Sequence, residues 1–168
     1  MRIFLVGYMY SGKTTIGKQL AKKLNISFVD LDQAIEQRYH VSIPVFFNKY
    51  GEDAFRILER NVLENVSDKD DVVISTGGGT PCFGDNMDFI LSKGRVIYLK
   101  MAPAAILSRE SRSKKQRPLL ASLTDEEKAA KVEAQLKERS RFYERAHFCI
   151  DALSPDIDAL VELVNKNI

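Results

Sequence analysis

The chain has 168 residues, of which 45% are hydrophobic and 29% charged, and a formal net charge of +2. That length supports one domain over 1–168 with a full core. So mild a positive balance argues against nucleic acid or a membrane surface as a partner and leaves room for one or two anionic ligands, while no apolar run reaches the length of a bilayer span.

Residues 2–6, RIFLV, form a short continuous apolar run, as expected of a strand buried on both faces. Met1 runs straight into it, so no signal peptide is expected. After the segment GYMYSGKT at 7–14, Ile16, Leu20 and Leu24 recur on one helical face. SFVD at 27–30 predicts a second strand, and QAIEQRY a helix with Asp32 as its N-cap. Helical segments run through 43–66 with a break near Gly51. DVVIST at 71–76 predicts a third strand, which ends in Gly77, Gly78 and Gly79. RVIYLK at 95–100 and FCID at 148–151 are the fourth and fifth. A long charged helix is expected over 125–147, opened by a capping box in TDEE at 124–127. The last helix is expected to take Ser154 as cap and Pro155 at its first position.

Strands separated by helical crossovers imply an α/β fold, a mostly parallel sheet with helices on both faces. Ligands in such sheets bind beyond the carboxyl ends of the strands. Three of the five predicted strand ends carry candidate chemistry: after Val6, at Asp30 and at Gly77.

Gly7, Gly12, Lys13 and Thr14 meet the phosphate-loop pattern G-x-x-x-x-G-K-[ST]. The glycines let the backbone curl so that several N–H groups face one anion, and the following helix adds its N-terminal partial charge. Lys13 suits the outer phosphates and the Thr14 hydroxyl suits Mg²⁺. Tyr8 and Tyr10 occupy free positions of the pattern, where they either line the nucleotide's approach or cover the helix start.

The loop names a nucleotide and leaves the reaction open. No N/T-K-x-D motif is present for a regulatory GTPase, the VVIST strand ends in Thr76 where a motor ATPase would want Asp followed by sensor elements, and no H-R-D catalytic loop appears. Asp30 and Asp32, two apart, share one side if they lie on a strand. From spacing alone they read equally as site carboxylates or as a helix cap beside a solvated Asp. Arg56 next to Phe55 suits a carboxylate on an apolar ring, although an exposed helical Arg fits the spacing better. Three consecutive glycines cost backbone entropy, so close approach of a ligand is a reasonable cause and a permissive turn the alternative. The basic segment 108–120 holds Arg109, Arg112, Lys114, Lys115 and Arg117, either as a mobile segment that closes over phosphates or as a solvated charge run. Arg139 is by spacing an ordinary helical residue. Cys82 and Cys149 form no metal-ligand spacing with each other or with His40 and His147, which predicts free thiols in a reducing cytoplasm.

These pieces, in this order, resemble the shikimate kinase family. The resemblance covers nearly the whole chain, from IFLVGYMYSGKTTIG through FVDLDQAIEQR, GEDAFR..E, STGGG and RPLL to ERSRFYERA. It implies the P-loop fold of the nucleoside-monophosphate kinases, a five-stranded parallel sheet of order 2-3-1-4-5 with a mobile lid at about 110–124 and a substrate-binding helical segment at about 32–62. It implies transfer of phosphate from ATP to shikimate, giving ADP and 3-phosphoshikimate, with Mg²⁺, on the way to chorismate and the aromatic amino acids. By that likeness Gly7, Tyr10, Ser11, Gly12, Lys13, Thr14, Thr15, Arg109 and Arg117 belong to the ATP site. Thr14 and Asp30 serve the metal, and Lys13, Asp32 and Arg117 the chemistry. Asp32, Arg56, Gly77, Gly78, Gly79 and Arg139 bind shikimate, with Ile43, Phe47, Phe55, Pro118 and Leu119 as an apolar wall. Tyr10 stands where the family usually has glycine or another small residue, Arg141 where it usually has proline, and Pro81 where it varies. A monomer binding ATP and shikimate is expected. The rival readings are another small-molecule kinase, such as a gluconate kinase, and a non-catalytic nucleotide-binding module.

Overall fold

The computed structural model describes residues 1–113, 120 and 122–166. Five strands, β1 (Arg2–Val6), β2 (Ser27–Asp30), β3 (Val72–Ser75), β4 (Arg95–Lys100) and β5 (Phe148–Asp151), form one sheet in the order β2-β3-β1-β4-β5. Every pairing is parallel. The described helices are α1 (Lys13–Leu24), α2 (Leu31–Tyr39), α3 (Ile43–Ser67), α4 (Asn86–Lys93), α5 (Pro103–Arg112), α6 (Asp125–Tyr143) and α7 (Ile157–Lys166), with a 3₁₀ turn at Thr80–Cys82.

The alternation of side chains along β1 divides the core. Ile3 and Leu5 join Ile16, Leu20, Val132 and Val164 on one face of the sheet. Phe4 and Val6 join Leu31, Leu63, Ile90 and Tyr143 on the other. All four β1 side chains from Ile3 to Val6 are fully buried, which explains why the strand reads as an unbroken apolar run.

Four of the five strand segments and the break at Gly51 match the sequence reading. Gly51 has φ 81° and ψ 176° inside α3, which bends the helix there and swings its first part, with Phe46 and Phe47, toward Phe55. The capping box is present: the Thr124 N–H donates to Glu127 Oε2 at 2.8 Å and the Glu127 N–H to Thr124 Oγ1 at 3.3 Å. Beside it, Lys128 Nζ donates to Glu110 Oε1 at 3.0 Å, an ion pair that pins α6 to α5 with both side chains largely removed from solvent.

Four local expectations are corrected. Asp30, not Asp32, caps α2: β2 runs into the helix without a loop, and Asp30 Oδ1 accepts the Gln33 N–H at 3.2 Å. Asp32 therefore lies in the first helical turn, and the alternation of a strand does not place it. Asp156 caps α7 in place of Ser154, its Oδ1 accepting the Ala159 N–H at 3.0 Å, so Pro155 precedes the helix. β3 is shorter than 71–76, because Asp71 has φ 52° and Thr76 turns its N–H and hydroxyl onto the Leu5 carbonyl. The long charged helix stops at Tyr143, where the Glu144 and Arg145 N–H groups close the last turn.

Candidate active site

The end of β1 and the start of α1 set the first half of the site. Gly7 leaves the strand at φ 148°, and a Cβ there would sit 2.7 Å from the Leu99 carbonyl oxygen, so no larger residue fits. Gly12 caps α1 in the left-handed region with no side-chain cap bond. Tyr10 also has a positive φ, 64°, a conformation that disfavours a bulky residue. Arg109 holds it: Nη1 donates to the Tyr10 carbonyl at 3.0 Å and Nη2 to the Ala152 carbonyl at 3.1 Å. The buried Lys13 ammonium folds back over the loop and donates to the carbonyls of Gly7 and Tyr8 at 2.8 and 2.9 Å. Thr14 Oγ1 donates to Asp30 Oδ2 at 2.7 Å, which brings together a hydroxyl from the first turn of α1 and a carboxylate from the end of β2.

The second half is built on the glycine triplet. A Cβ on Gly77 would lie 2.8 Å from Thr80 Oγ1, 3.0 Å from Asp32 Oδ1 and 3.3 Å from Glu59 Oε1, so α2, α3 and the 3₁₀ turn all converge on that residue. A Cβ on Gly79 would collide with Arg56 Nη2 and lie 3.1 Å from its Nη1. A Cβ on Gly78 would lie 3.5 Å from Arg139 Nη1, 3.5 Å from the Met9 nitrogen and 3.6 Å from the Gly7 carbonyl oxygen. The triplet is thus a side-chain-free floor. Two guanidinium groups from α3 and α6 rest on it, and it abuts the phosphate loop.

Each guanidinium has its own support. Arg56 Nη1 donates to Glu59 Oε2 at 2.7 Å and Nη2 to Glu52 Oε1 at 3.1 Å, and the group lies 3.9 Å over the Phe83 ring. Glu59 is only 1% exposed; burial pushes its carboxyl above the usual range, while Arg56 and a 2.6 Å hydrogen bond from Thr80 pull it back. Arg139 lies 5.5 Å over the Tyr8 ring and beside Tyr143, whose hydroxyl donates to the Gly78 carbonyl. Burial raises the Tyr143 phenol, so it stays a neutral donor. Cys82, beside both arginines, is pushed up to about 11 by burial, with Arg139 and Arg56 opposing.

Among the described residues, two buried side-chain polar atoms have no hydrogen-bond partner: Ser11 Oγ and Arg56 Nε. Such atoms are costly unless something else satisfies them. One lies in the phosphate loop and the other on the arginine that rests on the glycine floor, which fits two ligands at one edge of the sheet.

The structure therefore gathers Gly7, Ser11, Gly12, Lys13, Thr14 and Asp30 on one side, and Asp32, Arg56, Gly77, Gly78, Gly79 and Arg139 on the other. Thr15 points to solvent on α1. Arg109 grips the loop backbone. Phe47 and Phe55 meet at a tilt with ring centroids 4.6 Å apart, and Ile43 packs against the same cluster. Lys114, Lys115, Arg117, Pro118 and Leu119 lie outside the described residues. The sequence reading assigned no role to Glu59, Tyr143 or the pairing of Tyr8 with α6. Glu59 had a local signal, since it sits one turn after Arg56.

A parallel sheet in this order, whose first strand enters a glycine-hinged loop and then a helix, is the architecture of the P-loop kinases. The chain belongs to the shikimate kinase family, whose model matches residues 9–166. It is 47% identical over 151 residues to the shikimate kinase of Parabacteroides distasonis, covering 90% of this chain and 87% of that one. The crystal structure of shikimate kinase from Bacteroides thetaiotaomicron superposes with a TM-score of 0.92 at 42% identity, covering 99% of this chain and 97% of that one. The Acinetobacter baumannii shikimate kinase, solved in complex with shikimate, gives a TM-score of 0.88 at 34% identity, covering 99% and 93%. Among the described residues, no helix is long and apolar enough to cross a membrane.

Proposed function

We propose that the protein transfers the terminal phosphoryl group of ATP to a hydroxyl of shikimate, giving ADP and 3-phosphoshikimate, and that the residues gathered above carry the reaction. One observation supports this most: the glycine floor touches the phosphate loop on one side and bears two arginine forks on the other. A planar carboxylate suits a pair of forks. A ring held by its carboxylate at Arg56 and Arg139 turns its far hydroxyls toward Asp32 and the loop.

Phosphoryl transfer asks mainly for position and positive charge. In this reading Lys13 leaves the Gly7 and Tyr8 carbonyls for phosphate oxygens, and the free Ser11 hydroxyl joins the loop N–H groups around them. Asp32 accepts a hydrogen bond from the attacking hydroxyl, orients it and takes its proton. Gly78 and Gly79 offer backbone N–H groups to the acid, and the phenylalanine wall covers its apolar face. Thr14 and Asp30 fit Mg²⁺, since a hydroxyl and a carboxylate oxygen 2.7 Å apart are the oxygen donors that a hard cation takes. The metal supplies charge neutralisation on the phosphates. Arg117, from the lid segment at about 110–124, is assigned to the phosphates by family likeness alone. The proposed residues all come from one chain, so a monomer suffices. Free Cys82 and Cys149 suit a reducing cytoplasm.

The test is ADP release with shikimate, gluconate and nucleoside monophosphates assayed side by side. Rapid release with shikimate and background rates with the others are expected. Equal or faster release with gluconate or a nucleotide would overturn the assignment.

A further inference from the structure

The two tyrosines of the phosphate loop are not equivalent. Tyr10 is half-buried and is held by its backbone, whereas the Tyr8 side chain is 1% exposed and reaches out of the loop to α6. Its hydroxyl donates to Gln135 Oε1, across 127 positions of sequence. Its ring lies 5.5 Å under the Arg139 guanidinium. Gln135, Arg139 and Tyr143 are spaced four residues apart, so they stand in one row along α6. The row is fixed at three points: Gln135 by the Tyr8 hydroxyl, Arg139 by the Tyr8 ring, and Tyr143 by the Gly78 carbonyl. The Tyr8 backbone is also where Lys13 rests, through the 2.9 Å bond to its carbonyl. Burial raises the Tyr8 phenol, which keeps it a neutral donor to Gln135.

We propose that Tyr8 and Gln135 are positioning residues for Arg139, and that they lock the fork that receives the acceptor's carboxylate to the nucleotide loop. This deepens the reading above and rests on it, since it takes Arg139 to be the carboxylate clamp. An arginine on an open helix face samples many rotamers, and holding one of them costs side-chain entropy at each binding event. A ring below the fork and a fixed neighbour one turn away remove most of that cost before the substrate arrives. Tyr8 touches neither reactant in this account and acts through Arg139.

The experiment is a double-mutant cycle read in kcat, KM and kcat/KM for shikimate and for ATP. The variants are Tyr8→Phe, Gln135→Leu, Arg139→Ala and the combination of Tyr8→Phe with Arg139→Ala. Tyr8→Phe is expected to lower kcat/KM for shikimate roughly tenfold, the weight of one net hydrogen bond, mostly through KM and with little change in the KM for ATP. Gln135→Leu removes the other half of the same bond and should reproduce that split. In the Arg139→Ala background, Tyr8→Phe should cost less than about twofold, because the group it positions is gone. A similar tenfold loss in both backgrounds would overturn the inference, as would no loss in either. A shikimate KM that Arg139→Ala leaves unchanged would instead remove the clamp, and with it the reading beneath. Melting temperatures of all variants separate a folding defect, which would raise no KM in the surviving enzyme.

Discussion

At the scale of single residues, the site is built from charges that already have protein partners. Arg56 is held by Glu59 and Glu52, Lys13 by two loop carbonyls, and Asp30 by Thr14. Such pairing places the groups without letting them collapse onto one another, and it leaves chosen donors over, Arg56 Nε among them. Glu59 takes the deepest position; its desolvation is tolerated because Arg56 and Thr80 both address it. Cys82 lies among these groups and stays chemically quiet. With burial lifting its thiol to about 11, only about a thousandth is thiolate at pH 8. Alkylation followed by mass spectrometry should therefore label the exposed Cys149 first at pH 8. Labelling of Cys82 should climb about tenfold per pH unit until the pH approaches 11. Cys82 reacting as fast as Cys149 at pH 8 would contradict the raised thiol of the half-buried Cys82.

At the scale of elements, the glycine triplet decides how closely α3 and α6 approach. Gly79 has no unusual backbone angle; what it lacks is a Cβ, in the space that Arg56 fills. Gly79→Ala should thus push the Arg56 guanidinium off the floor. The expected result is a shikimate affinity roughly tenfold weaker or worse, with ATP affinity held within about twofold, as for loss of one charge-assisted contact. Titration of each ligand checks this, and equal losses for both would show that the triplet serves the fold in general.

The same elements show what the sequence could tell. β1 and β4 were legible because strands buried by helices on both faces must be apolar along their length, and the phosphate loop because its backbone tolerates few alternatives. Two helix caps were misplaced by two positions, one too late (Asp32 for Asp30) and one too early (Ser154 for Asp156). Asp30 and Asp32 offer the same chemistry, and only the absence of a loop after β2 selects the first. Arg56 and Arg139 gave no local sign of burial, since the floor that shelters them comes from β3, a different stretch of chain. The contact between Tyr8 and Gln135 spans 127 positions, and no periodicity predicts it.

At the scale of the whole molecule, the parallel sheet brings three strand ends to one edge. β1 delivers the phosphate loop, β2 delivers Asp30 and hands Asp32 to α2, and β3 delivers the glycine floor between them. The order β2-β3-β1 makes these three neighbours, so groups distant in sequence meet without any long loop. Arg139 enters from α6 on the far side of the chain, which closes the site from a fourth direction. Proposed nucleotide and acceptor sites thus share a wall, Gly78, whose neighbours are Arg139 on one side and the loop backbone on the other.

The most direct check is a crystal structure of the protein with magnesium, a non-hydrolysable ATP analogue and shikimate. The account predicts the shikimate carboxylate within about 3.2 Å of both the Arg56 and Arg139 guanidinium groups, with a ring hydroxyl between Asp32 and the terminal phosphate. A carboxylate directed away from both arginines, or a ring whose hydroxyls face away from the phosphate loop, would contradict it.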